Sequence, residues 1–129
     1  MKQISESFGR RLQNTGITRI QWIALYYIKE NPSISQRSLS NMMSVKDSSI
    51  GRLLDRLERD GLVIKERSNK DRRIIYVNLT EKGQELIEEC LPIGVKFNED
   101  LTKGISQEEL RIFEEVLLKM KANVVEEDV

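Results

Sequence analysis

The chain of 129 residues contains no histidine. That removes the commonest metal ligand and the commonest general base. A single cysteine can form neither an internal disulfide nor a metal-binding cluster, and it fits a reducing cytoplasm. There is no Gly-rich phosphate loop and no nucleophile beside a base, so neither an enzyme nor a metal or cofactor site is expected. No apolar run is long enough to span a membrane. The start, MKQISESFGRR, lacks the apolar stretch of a secretion signal. With 2 prolines and 7 glycines, and 33% charged against 39% hydrophobic residues, the composition suits one soluble domain that is mostly helical.

The net charge is zero, which at first argues against a nucleic-acid partner. The distribution argues for one. Residues 1–35 hold 5 Lys/Arg and 2 Asp/Glu, residues 36–82 hold 11 and 7, and residues 83–129 hold 5 and 12. Two-thirds of the chain is basic and the last third acidic, which suggests one nucleic-acid-facing portion and one turned elsewhere.

The pattern centres on Ser44–Gly61. Ile50, Leu53, Leu54 and Leu57 follow the i, i+3, i+4, i+7 spacing of a buried helix face. Ser48, Arg52, Asp55 and Arg59 fall on the opposite face. Ser44 and Asp47 have the form of a capping box, and Gly61 stands where a helix should stop. A helix entering a DNA major groove needs slim residues at its tip and then Arg. Just before it, Leu39, Met42 and Met43 mark a short helix over 36–43. Two helices joined this tightly read as a helix-turn-helix, with the second as the reader. Ahead of them, the Thr18/Gln21 capping box opens a buried central helix over 18–30, which Asn31-Pro32 ends. Ile34 is expected to make a single strand-like bridge.

After Gly61 the apolar period becomes two. Two Val- and Ile-rich strands flank the polar loop SNKDRR, which makes a β-hairpin wing with Lys70, Arg72 and Arg73 at its tip. Thr80 caps a helix over 80–103 that contains Pro92, expected to kink it. Ser106 and Glu109 cap a last helix over 107–123, and the tail VEEDV is expected to fray. Apolar stripes on the helices at 3–14, 80–103 and 107–123 exceed what the compact core at 18–79 can cover. A second copy of the chain would cover them.

This order resembles the MarR family, the multiple-antibiotic-resistance type of regulators, over essentially the whole chain. The carrying residues are LLDRLERDGLV (Leu53–Val63) and Asp71-Arg72-Arg73-Ile74-Ile75-Tyr76-Val77-Asn78-Leu79-Thr80, which matches the family pattern D-x-R-x-x-x-V-x-L-T, followed by Glu81-Lys82-Gly83. The resemblance implies a mainly α fold with a small β-hairpin wing. It implies one MarR-like domain over 1–129, with a winged core at 18–79 and dimerisation helices at 1–16 and 80–125. It implies a homodimeric transcription regulator, a repressor of a palindromic operator on double-stranded DNA, released by a small-molecule effector. Carried over by position, Arg73 enters the minor groove and Asp71 holds the basic residues in place. Lys46, Ser48, Ser49 and Arg52 belong to the reader, and Gln36 and Arg37 to the start of the preceding helix, where phosphate contacts are expected. Lys70 and Arg72 complete the wing.

Asp47 departs from the family's usual basic or amide residue. It either accepts from cytosine N4 or complements the helix dipole. The family's effectors bind between winged core and dimer region, where Phe8, Trp22 and Tyr26 are candidate ligand contacts or simple core. Cys90 lies far from the family's peroxide-sensing position and reads as packing. The competing reading is a MarR-like protein-interaction module that has lost DNA binding.

Overall fold

The computed structural model describes residues 1–125. Helix α1 covers Lys2–Arg11, α2 Arg19–Glu30, α3 Gln36–Met43, α4 Asp47–Arg59, α5 Glu81–Leu101 and α6 Gln107–Val124. Strands β1 (Ile34–Ser35), β2 (Val63–Arg67) and β3 (Ile75–Leu79) form one antiparallel sheet in the order β1-β3-β2. The tail expected to fray lies, beyond Val125, outside the described residues. Two compact units arise, Met1–Phe97 and the segment from Asn98 onward.

Local chemistry explains the boundaries. Thr18 Oγ1 accepts from Gln21 N at 3.2 Å while Gln21 Oε1 accepts from Thr18 N at 3.0 Å, a reciprocal cap for α2. Ser106 and Glu109 do the same for α6, and this holds the Glu109 carboxyl below its ordinary pKa. Ser35 caps α3 by accepting from Ser38 N. The hairpin register sets Lys65 against Val77 and Arg67 against Ile75, and Ile34 of β1 faces Val77. Val77 is fully buried while Tyr76 is exposed, so β2 and β3 turn their odd-numbered residues to the core, and β1 its Ile34.

That core joins α2, α3, α4, the sheet and the first half of α5. Leu25, Leu39, Ile50, Leu54, Leu57, Val77 and Ile87 have no exposed surface. Two glycines let α5 pack closely. A Cβ on Gly83 would lie 2.0 Å from the Leu62 carbonyl oxygen, and one on Gly94 would lie 2.3 Å from the Trp22 ring. The Trp22 Nε1–H also donates to the Cys90 carbonyl at 3.0 Å.

The terminal helices cover part of their apolar stripes within the chain itself. In α1, Phe8 is buried and Leu12, its C-cap, is 1% exposed, while Ile87 and Cys90 of α5 are fully covered. Apolar surface stays open at Ile4 of α1, at Val95 and Leu101 of α5 and, most of all, along α6, where Phe113 and Met120 are each 59% exposed and Val116, Leu117 and Leu118 are also uncovered. The spacing of an apolar stripe does not reveal that its own chain can already cover it.

Gly83→Ala should destabilise the protein by about 1–3 kcal/mol, because the obstructing atom is backbone and cannot rotate away. A lowered denaturant midpoint with an unchanged m-value would show this. Gly94→Ala should shift the emission of the one tryptophan by displacing its ring.

Candidate nucleic-acid interface

The reader helix α4 buries Ile50, Leu54 and Leu57 and exposes Ser48 and Arg52, with Ser49 half-buried. Its cap differs from the sequence expectation. Ser44 ends α3 in the left-handed conformation (φ 54°), Lys46 is the N-cap residue of α4, and no side chain caps that end. The chain uses Ser44–Lys46 as the turn, so the reader starts too late for a Ser44–Asp47 box. Asp47 instead joins the two helices. The buried Ser40 hydroxyl lies 2.8 Å from both the Arg37 carbonyl and Asp47 Oδ1. It has one proton, and the carboxylate is the stronger acceptor. On a helical wheel Asp47 stands about 100° from Ser48, on the side of α4 that meets Ser40 of α3.

A second brace ties the reader to the wing. Lys65 of β2 points its ammonium at Asp55 Oδ1 and lies 3.8 Å from Glu58 Oε1, while Lys65 N donates to Glu58 Oε2 at 3.2 Å. Sequence reasoning missed Lys65. Its partners are 7 and 10 residues away, and apolar periodicity carries no signal for them.

The wing tip is fixed by its own polar groups. Ser68 Oγ accepts from Lys70 N and Asp71 N, and Ser68 N donates to the Ile74 carbonyl at 2.8 Å. Arg67 Nη1 donates to the Arg72 carbonyl. Asp71 holds Arg73 through three bonds of 3.0 Å, from Arg73 N and Nε to Oδ1 and from Nη2 to Oδ2. This pairing holds the Asp71 carboxyl below its ordinary pKa and raises that of Arg73. The Arg73 side chain is nonetheless 90% exposed. Asp71 orients the guanidinium without covering it.

A cleft of about 710 Å³ runs between α3, the reader tip and the wing, and brings together Gln36, Arg37, Asn41, Asp47, Asp71 and Arg73. Lys46, Ser48, Ser49 and Arg52 stand on or just before α4, and Lys70 and Arg72 on the wing loop, outside that lining. The side chains of Arg37, Lys46, Arg52, Lys70 and Arg72 are exposed and form no ion pair with the described residues. These cations remain available to an external anion.

The aromatic candidates pack on one another. Phe8 meets Trp22 edge to face at 5.3 Å between ring centroids, Trp22 stacks on Tyr26 at 5.5 Å, and Phe8 stacks on Phe97 at 5.0 Å. Arg11 lies over the Phe97 ring. Cys90 is buried, and burial pushes its thiol pKa up, which makes it a poor nucleophile. Among the described residues no His/Cys/Asp/Glu cluster could hold a metal, and no helix is long and apolar enough to cross a membrane.

The MarR family model matches residues 15–74, the central helix, the helix-turn-helix and the wing tip. Over these residues the chain is similar to the MarR family. Solved structures extend the likeness to nearly the whole chain. A mutant MarR from E. coli, crystallised with operator DNA, is 28% identical and superposes with a TM-score of 0.81 over 92% of this chain and 86% of that one. The transcriptional regulator PA4135 is 29% identical, with a TM-score of 0.79 over 97% of this chain and 92% of that one. The MepR–DNA complex of S. aureus shares the fold at 22% identity, with a TM-score of 0.86 over 95% of this chain and 91% of that one. The architecture is therefore the winged helix of the MarR transcription regulators.

The wing brace should resist acid. A depressed Asp71 pKa means the brace contributes fully above the ordinary carboxylate value and is lost as pH falls through the lowered one. The Arg73 Nε–H resonance should therefore keep its bonded shift below the pH at which exposed aspartates titrate. Asp71→Asn should remove the transition.

Proposed function

We propose that this MarR-family regulator binds DNA sequence-specifically as a homodimer and represses transcription from an inverted-repeat operator. The observation that carries the reading is the set of unpaired cations around the reader tip and wing, Arg37, Lys46, Arg52, Lys70 and Arg72, together with the exposed, braced Arg73. Phosphate attraction is the dominant affinity term for duplex DNA, and a protein that leaves cations unpaired on one surface is built to exploit it. Ser48 and Ser49 permit close approach, Arg52 suits guanine O6 and N7, and Arg73 suits a narrow minor groove. Two relatives with this fold were crystallised with DNA.

The uncovered stripe of α6 supports the dimer, since a lone helix does not leave this much apolar surface in water without cost. A two-fold dimer sets its readers about one turn apart, about 34–36 Å, hence the inverted repeat. Repression follows if that operator overlaps a promoter. Phe8, Trp22 and Tyr26, the candidate effector contacts, pack on one another.

Gel shift at low salt with the DNA upstream of the protein's own gene tests the reading. Binding that needs both half-sites supports it. No binding to any duplex would instead favour the interaction module. Arg73→Ala should weaken binding to every duplex, whereas Arg52→Ala should relax base preference by about 1–3 kcal/mol at one position per half-site. Leu117→Glu, which places a charge in the α6 stripe, should yield a monomer by light scattering and lose operator binding with it.

A further inference from the structure

Gln36 is the first residue of α3 and is half-buried, yet its carboxamide has no hydrogen-bond partner among the described residues. It rests against the reader helix at Gly51, where a Cβ would lie 3.6 Å from Gln36 Nε2. A glycine inside a helix is disfavoured relative to alanine. Within this chain a Cβ at 51 meets only ordinary contact distances, so no internal clash requires the glycine. At 100° per residue, Gly51 stands about 60° from Ser48 on the exposed face. The reader thus has a bare patch on its outward flank, and a side chain from the neighbouring helix lies over it.

We infer that Gln36 reads a base from this patch and that the base is adenine. The inference rests on the DNA-binding reading above. A carboxamide offers one acceptor and two donors. In the major groove it pairs bidentately with the adenine N6 amino group and N7. A phosphate would use only the donors. Asp47, which has no cation paired to it among the described residues, lines the same cleft and opposes a phosphate at this point. Phosphate contact is better served by Arg37, exposed on the same helix turn. Gln36 is accordingly a specificity residue delivered from α3, and Gly51 is the space that admits it.

Selection from randomised duplexes separates the possibilities. The wild-type protein should select an A·T pair at one symmetry-related pair of positions. Gln36→Ala should lose that preference, bind the selected site about tenfold or more weakly, and keep the rest of the motif. Gln36→Glu, an acceptor only, should move the preference toward cytosine. Gly51→Thr, whose branches occupy the carboxamide's place, should reproduce Gln36→Ala with Gln36 still present. Circular dichroism of each variant should match the wild type. An unchanged motif in Gln36→Ala, with or without a uniform fall in affinity, overturns the inference and leaves Gln36 a phosphate or packing contact. A wild-type protein that selects no motif overturns the DNA-binding reading itself.

Discussion

One backbone carbonyl holds the winged core in register. Leu62 O accepts from Thr80 N at 3.0 Å, and Gly83 packs against it too closely for any side chain. Around it, Leu62 N donates to the Leu57 carbonyl, Thr80 Oγ1 to that of Gly61, and Lys82 Nζ to that of Asp60. Thr80 Oγ1 in turn accepts from Gly83 N at 3.0 Å. The end of the reader, both strands of the wing and the start of α5 therefore meet at one joint. Gly61 makes the turn into it with φ 76°. The phrase Leu79-Thr80-Glu81-Lys82-Gly83 describes this joint, with a cap, a carbonyl-binding cation and a residue without Cβ each in its required place. The reader and the wing are thus one rigid object, and what one presents has a fixed relation to the other.

That rigidity gives meaning to a neutral chain. Asp47 is bonded by Ser40, Asp55 and Glu58 by Lys65, and Asp71 by Arg73. Four acids of the basic segment thus serve as internal struts. The two cations they engage, Lys65 and Arg73, hold the wing in place, while Arg37, Lys46, Arg52, Lys70 and Arg72 are exposed without ion-pair partners among the described residues. The charge total counts all of these alike. The field that an approaching duplex meets depends on which are already paired.

Much of the fold was legible because it rests on short-range rules. The Thr18/Gln21 and Ser106/Glu109 boxes, the helix at Gln36–Met43, the bridge at Ile34 and the change of period after Gly61 all appear in the structure as read. The failures have one cause. Ser44 and Asp47 have a capping spacing, but the helix-turn-helix needs a left-handed residue at 44, and Asp47 finds a better partner seven residues back. Phe8 of α1 is covered by Trp22 of α2 and Phe97 of α5, contacts that no local pattern states. Lys65 was passed over for the same reason. The cationic candidates were legible as residue types, whereas their pairing or lack of it required three dimensions.

The central claim is that the reader and wing present unpaired cations to the phosphates of one duplex. The salt dependence of affinity measures it most directly, because each phosphate neutralised adds about 0.9 to the slope of log K against log salt. For the dimer on its own upstream DNA, the account predicts a linear plot with a slope steeper than about −5. A slope near zero would mean that these cations do not meet phosphate, and would contradict it.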